Sequence, residues 1–561
     1  MTQSTERSRS ALDELADAYV DEACALDPMM ATYLGVSGHD DQVTDYSPAG
    51  IDARADLTRR VLRKVGAATP SDDVDRVTAA AMTERLGVEL EIHDAGLHYG
   101  ELNVLASPAQ GLRDVFDLMG TTTSDDWEVV ARRLSRIPEG ADGYVAGLRH
   151  AAASGRAPAR RQVEAVADQC AKLADASSGF FATFTGQARP DGEEPSAALR
   201  ATLDDGARAA AGGYAALTAY LRDDLLPVAR ETDAVGRDEY ALWSRYFLGA
   251  TVDLEETYAW GLEELARIEA EMIGVADTIV PGGSVEDAVA ALDADPARSF
   301  DDPEAFRDWM QATSDAALSA LAGVHFDIPE PIRRLDCRIA PTTTGGIYYS
   351  APSEDFSRPG AMWWSIPEGQ TRFSTWHSTT TVFHEGVPGH HLQVAQTLYR
   401  AQLLNRWRRM MCWSSGHGGG WALYAERLMA DLGWLDDPGD RLGMLVGSAF
   451  RAMRVVVDIG LHCGLEAPAE VGGGTWDADT MWQFMLTHGR EPVEMLRFEH
   501  LRYLGWPGQA PSYKVGERLW LALRDEVRAA EGDAFDLKSF HRRALDVGSL
   551  GLDVMREGLT R

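Results

Sequence analysis

The chain has 561 residues, 45% of them hydrophobic, and a formal net charge of -34 at pH 7. This describes a large globular protein with room for two or three conventional domains, not a disordered one. The acidic balance argues against nucleic acid and anionic membrane surfaces as partners, since both would repel it.

Five cysteines (Cys24, Cys170, Cys337, Cys412 and Cys463) are scattered, odd in number and without a Cys-x-x-Cys pair. That pattern suits a reducing compartment without a disulfide framework. The start, Met1 to Ser10, is polar and leads into no apolar run, and nowhere do about 18 apolar residues follow one another. The expectation is a cytoplasmic protein with no signal peptide or membrane span, whose self-association into a homo-oligomer stays open.

The first half predicts helix after helix. Leu12, Leu15, Ala16, Tyr19, Val20 and Ala23 fall at helical spacing, which predicts a helix near 10–26 ended by Asp27-Pro28. Met82, Leu86 and Leu90 predict another over 72–95. Asp125 or Asp126 caps a helix that Pro138 is expected to interrupt. Further helices are predicted near 158–176, 196–225, 237–276, 284–294 and 303–323. The joints Arg189–Pro195 and Pro281–Ser284 are short, as loops inside one body are. After Phe326-Asp327-Ile328-Pro329 the composition shifts. Ile332–Ile339, Gly346–Ser350 and Met362–Ile366 read as short strands, with Gly345-Gly346 ahead of Ile347-Tyr348-Tyr349. An edge strand there could hold an extended substrate through its backbone, with Tyr348 and Tyr349 as contacts. A small structural sheet is the other reading.

The stretch Thr381 to Gln393 carries three histidines and a glutamate within eight residues, His384-Glu385-Gly386-Val387-Pro388-Gly389-His390-His391. Zinc needs deprotonated ligands converging at roughly 2 Å. His followed by Glu opens the zinc-protease helix, in which the Glu is general base toward water activated by the metal. The usual second histidine lies four residues on, and Pro388 stands there instead. On an ideal helix His390 would sit about 120° from His384, and His391 about 10 Å along the axis. Pro388 lacks an N–H and clashes with the carbonyl four residues back, and Gly389 accepts almost any backbone angle. A two-residue bulge would return His390 beside His384. His384 and His390 are thus the candidate ligands, with nearest ring nitrogens expected roughly 3–4 Å apart. Glu385 is the candidate base, and His391 supports the site or touches substrate.

Beyond it, Trp421 onward predicts a helix, and Arg441 to His462 a long one. Arg454, Asp458 and His462 lie at spacing four on one face of the latter. They read either as a row of structural ion pairs or as contacts to site and substrate, His462 among them. Arg502 to Tyr513 is loop-like and rich in aromatic and turn residues. Tyr513 and Arg502 are candidate catalytic groups, Tyr513 as a donor to a developing oxyanion, and Gln509 is a candidate substrate contact. Phe540-His541 to Met555 reads as a structural helix–turn segment.

Several of these stretches together resemble the bacterial family called domain of unknown function 885, whose members look like zinc metallopeptidases. The matching residues are His-Glu-Gly-Val-Pro-Gly-His-His (384–391), Gly-Trp-Ala-Leu-Tyr-Ala-Glu (420–426), Val-Asp-Ile-Gly-Leu-His (457–462), Pro-Gly-Gln-Ala-Pro-Ser-Tyr (507–513) and Phe-His-x-x-x-Leu-x-x-Gly (540–548). The likeness runs from about residue 11 to about 557. The resemblance implies a mainly α, large helical metallopeptidase-like fold, with a small β-sheet near 330–370 beside the metal-site helix. An N-terminal helical region (1–325) and a catalytic-like region (326–561) would form one continuous domain. It also implies one divalent metal, zinc first, with His384 and His390 as ligands and Glu385 as base.

Family members usually carry Glu before the Gly-Trp-Ala-Leu-Tyr-Ala-Glu run, where it resembles the third ligand of zinc aminopeptidases. Here that position is Gly419. Glu426 and His417 are the candidate substitutes, and a Gly419→Glu variant would be expected to gain zinc affinity. The expected function is a zinc-dependent hydrolase of peptides or related amides. The alternative is a weakened or inactive member that binds a ligand or partner, or one repurposed for a biosynthetic step.

Overall fold

Helix starts along the chain are set by short polar side chains that satisfy otherwise unpaired backbone N–H groups. Ser10 accepts from the Asp13 N–H while the Asp13 carboxylate accepts from the Ser10 N–H, which opens the helix Ala11–Leu26. Asp27 caps the next, Pro28–Leu34, and Asp253 the long helix Leu254–Ile279. In the computed structural model, which describes residues 7–340 and 346–560, elements of this kind make the protein mainly α-helical. Gly345, half of the expected Gly-Gly turn, lies outside the described residues.

Three expectations are corrected. Pro138 does not interrupt its helix, which runs unbroken from Ser124 to Ala153. The proline removes one backbone hydrogen bond, and packing on Ala197–Ala219 holds the helix through it, with Gly213 against Pro138. The stretch 237–276 is two helices, Arg237–Leu248 and Leu254–Ile279, because a left-handed C-cap at Gly249 stops the first and an Asp253 N-cap starts the second. The stretch 502–513 is only partly loop: Arg502 to Gly505 end the helix Val493–Gly505, and Ser512 begins Ser512–Glu531.

The β structure is small. Gly360–Trp364 is central, parallel to Leu335–Ile339 and antiparallel to Ile347–Ser350, with Tyr349 opposite Met362. A two-stranded ribbon pairs Ser299–Phe300 with Phe373–Ser374. Cys337, Met362 and Trp364 pack with Phe306, Met310 and Val382, and Val382 belongs to the helix carrying His384. The sheet therefore lies against the helix that carries His384. The largest buried apolar cluster runs from Leu12 to Leu559 and draws on both sides of residue 325. A second cluster, from Met29 to Ala229, lies wholly in the N-terminal half. Among the described residues no helix is long and apolar enough to cross a membrane.

Candidate metal centre

The histidine stretch folds as two helices, not one bulged helix. Thr375–Glu385 ends at Glu385, and His390–Tyr399 begins at His390. The four residues between reverse the chain tightly: the Gly389 N–H donates to the Phe383 carbonyl at 3.1 Å and the His391 N–H to the Gly386 carbonyl at 3.2 Å. A Cβ on Gly389 would lie 1.9 Å from the His384 carbonyl oxygen, so no other residue fits this turn. The Trp421 indole N–H donates to the Pro388 carbonyl at 2.9 Å and pins the turn to the helix Ser415–Asp431. His384 and His390 then face each other with ring centroids 4.9 Å apart. One potential ligand atom each from His384, Glu385 and His390 lie within 4.8 Å of one another.

The electrostatics favour metal-ready protonation states. The His384 Nδ1–H donates to Glu426 at 2.7 Å, which leaves Nε2 as the free lone pair, as in carboxylate–histidine–metal arrangements. Thr380, one turn earlier on the same helix, donates its hydroxyl to the other Glu426 oxygen. Burial works against the Glu426 charge, but Arg451 and the bonds from His384 and Thr380 outweigh it and hold its carboxyl below the usual range. The Arg451 guanidinium stands 3.7 Å from Glu426. Burial, with His384 and Arg451 nearby, drives the His390 ring well below the usual histidine value, so it stays neutral, as a metal ligand must. Burial raises the Glu385 carboxyl against the pull of His384 and Arg451. One buried and one half-buried imidazole with a buried carboxylate suit zinc or another borderline divalent ion.

The other candidates fall elsewhere, and four need correction. Glu426 stands outside the three-residue group and instead accepts from His384 Nδ1. His417 lies outside the cluster, with Nδ1 against the Gln393 amide at 3.1 Å and its ring on Trp520. Burial lowers its pKa to about 3. His391 is buried and spends both nitrogens: Nε2–H donates to the Ile332 carbonyl at 2.7 Å, and Nδ1 accepts from the Tyr349 hydroxyl at 3.0 Å. It ties sheet to helix and cannot meet substrate. His462 is also buried, donating to the Tyr503 carbonyl at 2.9 Å and stacked on Tyr240. Tyr348 is exposed and stacked on Trp363.

The row on Pro438–Cys463 is not an internal ion-pair ladder, because its members bond to other elements. Arg454 reaches Glu499 and Tyr503, and Asp458 accepts from the Tyr240 hydroxyl and the Gly508 N–H. Arg502 donates to Glu499 and to Gln509, whose amide donates to the Tyr513 hydroxyl at 3.3 Å.

Position 419 carries a further correction. Gly418, Gly419 and Gly420 are buried inside the helix Ser415–Asp431. Gly419 and Gly420 let the helix Ser512–Glu531 come close. A Cβ at Gly420 would stand 2.5 Å from the Gly516 backbone, and a Cβ at Gly419 would stand 2.5 Å from the Tyr513 ring. The space of a residue-419 carboxylate is therefore filled by Tyr513, and a glutamate fits there only if that ring moves. Sequence reasoning missed Thr380 and Arg451. Thr380 sits four residues before His384 and Arg451 three before Arg454, so helical spacing was the available signal.

No curated protein sequence matches the chain. The fold resembles two solved structures over almost their whole length. A "putative lipoprotein" from Colwellia psychrerythraea aligns with a TM-score of 0.81 at 22% identity, covering 98% of each chain. A "putative lipoprotein of unknown function" from Shewanella oneidensis aligns at 0.74 and 16% identity, covering 98% of this chain and 99% of that one. At such identities the likeness speaks to fold alone. Residues 28–559 match the family described as "Bacterial protein of unknown function (DUF885)", and with nearly the whole chain inside that match, the protein belongs to this family.

Proposed function

We propose that the protein is a metal-dependent hydrolase of peptides or related amides. The observation that carries this is the convergence of His384, Glu385 and His390 in a buried turn, with ligand atoms within 4.8 Å of one another. Zinc held by His384 and His390 would supply a Lewis acid and an acidified water. Glu385 takes the proton of the attacking water and returns it to the leaving amine, a task suited to a carboxyl that burial raises above its ordinary value. Glu426 keeps His384 in one tautomer and one orientation. Thr380 and Arg451 hold Glu426 in place and ionised.

A second reading, binding without turnover, is favoured by one observation: the Tyr513 ring fills the place of a third carboxylate ligand. Metal analysis beside a peptide-library assay separates the two. For hydrolysis, Glu385→Gln should keep the metal and the fold and lose on the order of 10²–10⁴ in rate. Unchanged turnover in that variant removes Glu385 from the chemistry. Tight zinc binding with no cleavage across the library puts the second reading in its place.

A further inference from the structure

A cavity of about 410 Å³ opens between the N-terminal helices and the turn that follows Gly505. It shares no lining residue with the His384, Glu385 and His390 cluster. Its volume lies in the range of small-molecule sites, about 300–1,000 Å³. Trp243, Phe247 and Trp506 supply aromatic walls, with Phe247 edge-on to Trp506 at 5.7 Å between centroids and Trp243 stacked on Phe247 at 6.3 Å. The turn bearing Trp506 is held rigid from behind, where the Gly508 N–H donates to Asp458 at 2.9 Å.

The charges around this space are unusual for the molecule. Arg156 and Arg230 both line it, as does Glu239. The Arg230 Nε is buried with no hydrogen-bond partner, and its guanidinium makes one long bond, 3.4 Å to the Asp233 carbonyl. Among the described residues neither arginine forms an ion pair, although the chain holds 87 acidic against 53 basic residues. Glu239 is the one carboxylate whose charge feels both guanidiniums, and with no direct ion pair to either, the two forks face it with one positive charge in excess, which suits an anion from outside.

We propose that this cavity binds a free aromatic α-amino acid. Arg230 and Arg156 take its carboxylate, Glu239 its ammonium group, and the Trp243, Phe247 and Trp506 walls its ring. The site is independent of metal chemistry at the histidine turn.

Calorimetric titration of the full-length protein in the presence of a chelator tests this, with L-phenylalanine, L-phenylalaninamide and 3-phenylpropionate as probes. Phenylalanine should saturate one site. Removing its carboxylate or its ammonium group should weaken binding roughly tenfold or more, the cost of a lost charge-assisted contact. Arg230→Gln should weaken phenylalanine to the same degree, and Glu239→Gln should weaken phenylalanine but not phenylpropionate. Arg156→Gln, a change at an exposed residue, replaces Arg230→Gln should that variant fail to fold. Absence of phenylalanine binding, equal binding of the amide, or unchanged affinity in the arginine variants overturns the assignment.

Discussion

His390 and His391 are neighbours in sequence with opposite fates. His390 faces His384 across a tight turn and keeps a nitrogen within reach of two other potential ligands. His391 is buried with one nitrogen on the Ile332 carbonyl and the other on the Tyr349 hydroxyl. The row Arg454, Asp458, His462 behaves as His391 does, each group bound to a neighbouring element. A histidine becomes a candidate ligand when the fold brings it to other donors and leaves its lone pair unspent. It becomes a strut when backbone and hydroxyl groups claim it first.

The sharpest test of this contrast is to remove each histidine in turn. His390→Ala should abolish stoichiometric metal binding with little loss of stability. His391→Ala should retain the metal yet destabilise the fold by about 1–3 kcal/mol, because it strands a buried carbonyl and hydroxyl. Metal content measured alongside denaturant midpoints decides; metal lost equally from both variants would dissolve the distinction. Next in size is Glu426→Gln. If this carboxylate orients His384, metal affinity should drop roughly 10–100-fold without vanishing. A complete loss would make Glu426 a ligand after all, and no change would detach it from the site.

The smallest effect is set by pH. Burial, opposed by the bond to the Tyr503 carbonyl, lowers His462 from 6.5 to about 4. Between those values the unfolded chain holds the proton and the native state does not. Stability is therefore lost as pH falls below about 6.5, and goes on falling to about 4. At pH 5 the contribution is about 2 kcal/mol. His462→Gln should flatten the stability slope between pH 7 and 5 by that amount, and an unaltered slope would mean that the strut does not titrate as its burial implies.

Much of this was legible in the sequence. Caps such as Ser10 with Asp13 mark helix starts from local chemistry alone. His-Glu with Pro-Gly-His points to two histidines facing each other across a break because the helix-breaking residues stand between them. What was not legible depends on contacts between distant segments. Position 419 reads as room for a glutamate until Tyr513 packs against it. His391 and His417 read as donors until Ile332, Tyr349 and Gln393 occupy them. Spacing alone leaves Glu426 a ligand or an orienting group, and only the 2.7 Å bond to His384 Nδ1 separates the two. The aromatic cavity combines Arg156, Arg230 and Trp506, which no local pattern connects.

The close seating of Tyr513 against Gly419 also bears on how this chain could change over generations. A glutamate at 419, where the family resemblance would place one, meets the ring at a distance no real Cβ tolerates. An acidic residue can enter only after position 513 has shrunk or its ring has swung aside. Yet a smaller residue at 513 while 419 is still glycine leaves a void and an unpaired Gln509 amide. Each single step is penalised and only the pair is tolerated, so the two positions are locked to one another. Glycine at 419 is thus held in place by packing, whatever selection acts on the chemistry.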